Sequence, residues 1–137
     1  PPIIRGGHGQ KRTPALAAKH ADEFNLPFAP VEAFVAQRDR VRAACEAIGR
    51  DPDSMRFSVA LVLCCCSNET ELQRRADAIG REVDELRTNG AAGTPAEVIE
   101  KIHRYRDAGA SRVYLQTLDI DDTAHLELVA AEVAPHL

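Results

Sequence analysis

Three glycines stand close together in "IIRGGHGQKRTP". Glycines between the carboxyl end of a strand and the amino end of a helix let backbone N–H groups converge on an anion, and the helix dipole favours negative charge there. Gly6, Gly7 and Gly9 suit such a place, and Lys11 and Arg12 follow as cations able to pair with a phosphate. The same residues equally suit a plain tight turn, which glycine permits at little steric cost. The dinucleotide fingerprint G-x-G-x-x-G fails, because Arg12 stands where its third glycine belongs, and no G-K-S/T of a P-loop is present. His8, inside the turn, reads as a solvated side chain before it reads as a ligand or a base.

Other polar residues fall at the carboxyl rims of strands, where α/β proteins place their sites. Asn25 and Gln116 are two of them. Each can hydrogen-bond a cofactor ring or ribityl chain, and each can equally tie a loop to its neighbour. Asp119, Asp121 and Asp122 can hold a divalent cation, but helix capping explains them with fewer assumptions. No CxxC, HxxxH or HExxH is present, so no metal is expected. Cys64, Cys65 and Cys66 are adjacent, which puts neighbouring thiols on opposite faces of a strand and argues against a disulfide framework. His20, His103, His125 and His136 all fall in expected helices, on solvated faces.

These residues must be held by a regular frame. "PPIIR" reads as a short strand ended by the glycines, and Thr13 with Pro14 as the cap and first residue of an alanine-rich helix. A strand over Glu23 to Leu26 follows, and then a long helix whose inner face carries Val31, Phe34, Val35, Val41, Cys45 and Ile48, closed by Gly49. "MRFSVALVLCC" has little polar alternation, as expected of a strand covered on both faces. Asn68 with Glu71, and Thr94 with Glu97, look like capping boxes of two further helices. "SRVYLQT" is the fourth strand, before a last helix with Leu126, Val129 and Val133 inside. Four strands, each followed by helix, imply a parallel sheet with helical crossovers, and a closed (β/α)₈ barrel needs twice as many.

The chain has 137 residues, 45% of them hydrophobic, enough for one core, so a single domain over residues 1–137 is expected. A net charge of −4 offers no general attraction to nucleic acid or anionic lipid. The longest apolar run, "VALVLCCC", is far short of a bilayer span, and no leader-like segment precedes a cleavage site. A soluble, cytoplasmic protein is expected, with no nucleic-acid or membrane partner. Met55 is the only methionine, which suggests a chain processed or cut from something longer.

Three stretches carry a family resemblance: "PPIIRGGHGQKRTPALAAKHADEFN", "FSVALVL" and "GTPAEVIEKIHRYRDAGASRVYLQ". Together they resemble the carboxyl-terminal half of the luciferase-like monooxygenase family, particularly its deazaflavin-dependent oxidoreductases. The resemblance implies half of a (β/α)₈ TIM barrel, its four strands equivalent to strands five to eight. It further implies hydride transfer between FMN or coenzyme F420 and a small-molecule substrate, with the phosphate-bearing tail of the coenzyme at Gly6, Gly7, His8 and Gly9. An isolated half would expose two sheet edges, so a homodimer or pairing with an amino-terminal half barrel is expected. A non-catalytic dimer and a simple phosphate-binding module are the alternatives. The half that would supply most ring contacts is the other one, so no catalytic residue is assigned.

Overall fold

A computed structural model describes residues 1–137 as two compact units, Pro1–Ala60 with Tyr105–Tyr114, and Leu61–Arg104 with Leu115–Leu137. In the first unit the order is β1 (Ile4–Gly6), α1 (Arg12–His20), β2 (Glu23–Pro27), α2 (Val31–Ala47) and the opening half of β3 (Arg56–Cys65). The strands run parallel, and the register sets Gly6 beside Asn25 and Asn25 beside Ser58. β5 (Arg112–Gln116) starts on the other edge of β3, where Ser111 N–H donates to the Phe57 carbonyl at 2.8 Å.

Helix α1 buries Ala17 and Ala18, whose small side chains allow a close approach to α2. Its orphan carbonyls are satisfied by Arg50, whose guanidinium donates to Ala18 O at 3.0 Å and Ala21 O at 2.7 Å. On α2 the buried face is Phe34, Gln37, Val41 and Cys45. Phe34 meets the buried Tyr105 ring edge-on, with centroids 5.8 Å apart at 78°.

The second unit holds the rest of β3, α3 (Glu69–Ala78), α4 (Val83–Asn89), β4 (Ala91–Gly93), the start of α5 (Pro95–Asp107), and α6 (Thr123–Glu132). Val62, Cys64, Leu72, Ala76, Leu86 and Ala92 form its core. The Thr94–Glu97 capping box is reciprocal: Glu97 Oε2 accepts from Thr94 N–H at 2.7 Å, and Thr94 Oγ1 accepts from Glu97 N–H at 3.4 Å. Asn68 caps α3 by accepting from Glu71 N–H at 3.0 Å.

Four expectations need correction. Helix α1 begins at Arg12 with Lys11 at the cap position, so Thr13 sits inside the first turn instead of capping it. A short helix and strand, α4 and β4, stand where no element was expected. "AAG" has no β-branched residue, and it pairs with β3 because Gly90 lets the chain pass, a Cβ there falling 2.7 Å from both the Leu86 and Val62 carbonyls. Ile48 and Leu126 are exposed instead of facing the interior. His125, expected on a solvated face, is buried and is the residue that α6 turns inward.

Candidate functional site

Each of the three glycines in the turn after β1 has its own steric reason. A Cβ at Gly6 would lie 2.9 Å from the Asn25 carbonyl oxygen of the neighbouring strand. Gly7 has φ +132°, a conformation that side chains disfavour, and a Cβ at Gly9 would fall 2.5 Å from Thr13 Oγ1. The turn is then fixed from below by Gln37 of α2, only 2% exposed, whose Nε2 donates to Gly9 O at 2.8 Å and Gly7 O at 3.3 Å. With those carbonyls drawn inward, the N–H groups of His8, Gly9 and Gln10 donate to no acceptor in the chain. His8, Lys11 and Arg12 are exposed.

A half-open hollow of about 280 Å³ adjoins the turn, lined by His8, Gln10, Leu26, Gln37 and Arg40 among others, with no carboxylate in its wall. Backbone N–H donors and basic side chains without a nearby acid suit an anion, so the donor set fits the phosphate-bearing end of a coenzyme.

Asn25 does not reach this hollow's wall; it belongs to a polar layer on one face of the first unit's strands. Its Nδ2 donates to Ser58 Oγ at 3.0 Å, and Ser58 Oγ donates to Glu23 Oε1 at 2.6 Å. The same carboxylate accepts from Arg112 at 3.0 Å and from Tyr114 OH at 3.1 Å. Glu23, 4% exposed, is thus held by side chains of two other strands, β3 and β5, through charge-assisted bonds, the arrangement a buried carboxylate requires. Gln116 ends β5 and is exposed.

In the second unit, α3 and α6 converge on Cys65. Its N–H donates to His125 Nε2 at 2.9 Å and its carbonyl accepts from Arg75 at 2.8 Å, so two side chains fill the slots a neighbouring strand would use. Arg75 also binds Asp122 at 2.8 Å and Glu71 at 3.0 Å. The hydrogen bond from Arg75 brings the Asp122 carboxyl down to about 2. Burial, reinforced by the Arg75 charge, lowers the His125 pKa. Its Nε2 accepts a bond, so neutral His125 carries its proton on Nδ1. Desolvation pushes the Cys64 and Cys65 thiols up to about 11, which leaves them protonated and inert at neutral pH. Asp122 caps α6, accepting from His125 N–H at 2.9 Å.

Gln37, Arg40 and the Glu23 layer were not reached from the sequence. A signal for Gln37 was present, since it stands three residues after Phe34 and four before Val41, a polar residue within an apolar stripe. The polar layer also left a trace, in the period-2 alternation of Arg112, Tyr114 and Gln116.

The family model described as luciferase-like monooxygenase matches residues 1–87, well over half of the chain and including the glycine turn and the first unit's three leading strands. The chain belongs to the luciferase-like monooxygenase family. No curated protein matches its sequence. Among solved structures, the coenzyme F420 dependent tetrahydromethanopterin reductase from Methanopyrus kandleri superposes with TM-score 0.76 at 17% identity, over 98% of this chain and 50% of that one. EDTA monooxygenase from Chelativorans sp. BNC1 gives 0.74 at 18%, over 98% and 43%. The oxygenating constituent of 3,6-diketocamphane monooxygenase from Pseudomonas putida, in complex with FMN, gives 0.64 at 17%, over 98% and 48%. The chain of this luciferase-like family member therefore spans about half the length of the structures it matches. Its parallel strand–helix alternation is that of half a (β/α)₈ barrel. None of its helices is long and apolar enough to cross a membrane.

Proposed function

We propose that this chain is the coenzyme-tail-binding half of an oxidoreductase that uses FMN or coenzyme F420 on a small-molecule substrate. The observation that carries the reading is the glycine turn: its carbonyls are held by Gln37 while the N–H groups of His8, Gly9 and Gln10 remain available beside Lys11 and Arg12. The coenzyme, when bound, would supply hydride transfer. The chain's own part is to hold the anionic tail, with backbone N–H donors countering its charge and the basic side chains adding to that field. Asn25, on β2 of the same unit as the glycine turn, is the polar group proposed to orient the rest of the coenzyme. The family match and the FMN- and F420-dependent neighbours support this reading. The partner is an amino-terminal half barrel.

The test is a fluorescence titration of FMN and of coenzyme F420 with the purified chain, alone and mixed with a separately expressed amino-terminal half. Saturable binding by the mixture is expected. Absence of binding to both preparations overturns the proposal.

A second reading is favoured by β1, which pairs with β2 on one edge only and leaves Ile3 and Ile4 about half exposed, at 52% and 50%. In it two copies bury these edges as a homodimer without redox activity. Sedimentation equilibrium decides: a stable dimer without coenzyme binding supports this reading, and a monomer removes it.

A further inference from the structure

We propose that Gln37 is the positioning residue of the anion turn and that Arg40, one helical turn further along α2, is the side-chain cation that meets the bound phosphate. The inference rests on the coenzyme-tail reading above and names the side chains that make the turn work. Gln37 is fully used: Nε2 bridges the Gly7 and Gly9 carbonyls, and Oε1 accepts from Arg40 at 3.0 Å. A glutamine amide is suited to this task because it donates and accepts at once without carrying charge into a buried place. By binding both carbonyls it fixes the Gly7–His8 and Gly9–Gln10 peptides, whose N–H groups, on His8 and Gln10, point away from the bound oxygens. By accepting from Arg40 it holds that guanidinium at the wall of the same hollow.

Arg40 differs from its neighbours. Of the three arginines of α2, Arg38 pairs with Asp39 at 2.7 Å and Arg42 with Asp53 at 2.9 Å, whereas Arg40 forms no ion pair. It is exposed, its one bond within the chain uses a single N–H, and no carboxylate lines the hollow it borders. A guanidinium has five donors in a planar fork matched to phosphate oxygens, so four remain for a ligand.

The experiment compares FMN with riboflavin, which lacks only the phosphate, by ¹H–¹⁵N correlation spectra of the ¹⁵N-labelled chain mixed with the unlabelled amino-terminal half. In the wild type, FMN and not riboflavin is expected to shift the His8, Gly9 and Gln10 amides. If the two ligands act alike, the tail-binding reading itself fails. Given wild-type discrimination, Arg40→Gln should weaken FMN about tenfold or more, the loss expected for a charge-assisted bond, and leave riboflavin unchanged. Gln37→Leu should abolish the amide shifts. Gln37→Glu, which can hold Arg40 but cannot donate to the carbonyls, should fail on the amide shifts as well. Circular dichroism selects for comparison the variants that stay folded, and Arg40→Gln, an exposed substitution, remains informative if both Gln37 variants unfold. Undiminished FMN discrimination in Arg40→Gln, or intact amide shifts in a folded Gln37 variant, overturns the inference while leaving the tail-binding reading in place.

Discussion

Replacing Arg75 by methionine should be one of the most damaging single substitutions in the second unit. The side chain is 5% exposed, and its guanidinium binds Asp122 at 2.8 Å, the Cys65 carbonyl at 2.8 Å and Glu71 at 3.0 Å. Methionine fills much of the volume but donates nothing, so the Asp122 carboxylate, 12% exposed, loses its principal counter-charge and the Cys65 carbonyl loses a donor. Breaking a buried pair from one side costs about 3–5 kcal/mol, which for a chain of this size lowers Tm by roughly 10–15 °C. Asp122→Asn removes the charge yet keeps a good helix cap, so the double variant should recover about 1–3 kcal/mol relative to Arg75→Met alone. Urea unfolding followed by circular dichroism measures both. The acid limb gives an independent check. Asp122 is held at about 2 against an ordinary 3.8, so the wild type gains stability above that ordinary value and loses it as pH falls toward 2. Arg75→Met should flatten this limb. A single variant within about 1 kcal/mol of wild type, with the acid limb unchanged, would refute the reasoning.

Gly7→Val should cost about 1–3 kcal/mol, because φ +132° strains a β-branched residue, and should remove FMN binding at the turn; a urea midpoint and an FMN titration check the two effects. His125→Leu should cost about 1–3 kcal/mol by leaving the Cys65 N–H without an acceptor, while His125→Gln should cost less; paired urea midpoints measure the difference. Because folding lowers the His125 pKa, the stability it contributes is full above its ordinary 6.5 and declines as pH falls below that value, which ring-proton NMR and unfolding between about pH 7 and 5 will follow. Cys64 and Cys65, with pKa values of about 11, should resist iodoacetamide at pH 8 in the folded chain and react promptly in denaturant, as mass spectrometry will report.

Much of the frame was legible because it depends on local rules. The 3.6-residue spacing of Phe34, Val41 and Cys45 marked α2, the unbroken apolar run marked β3, and the Thr94–Glu97 and Asn68–Glu71 pairs marked two helix starts. Helix α4 and strand β4 were not legible, since Val83 and Leu86 are too few for a period and "AAG" has no strand propensity; β3 supplies the ladder that makes Ala91–Gly93 a strand. The inner face of α6 was misread for a related reason. Leu126 was the apolar choice, but His125 finds a backbone donor on Cys65, and that bond together with burial outweighs the usual preference of histidine for solvent.

The sequence by itself determined the parallel α/β class, the family, and the glycine turn as the place to look for an anion, because glycine steric permissions and helix periodicity act over a few residues. Tertiary structure alone decided what the turn presents. Gln37 lies 28 residues beyond Gly9, yet its buried amide turns the carbonyls inward. Likewise Glu23 is bound by Arg112 across 89 positions and Cys65 by His125 across 60. Such bonds depend on which side chains the packed strands and helices bring within about 3 Å, a matter no local rule records.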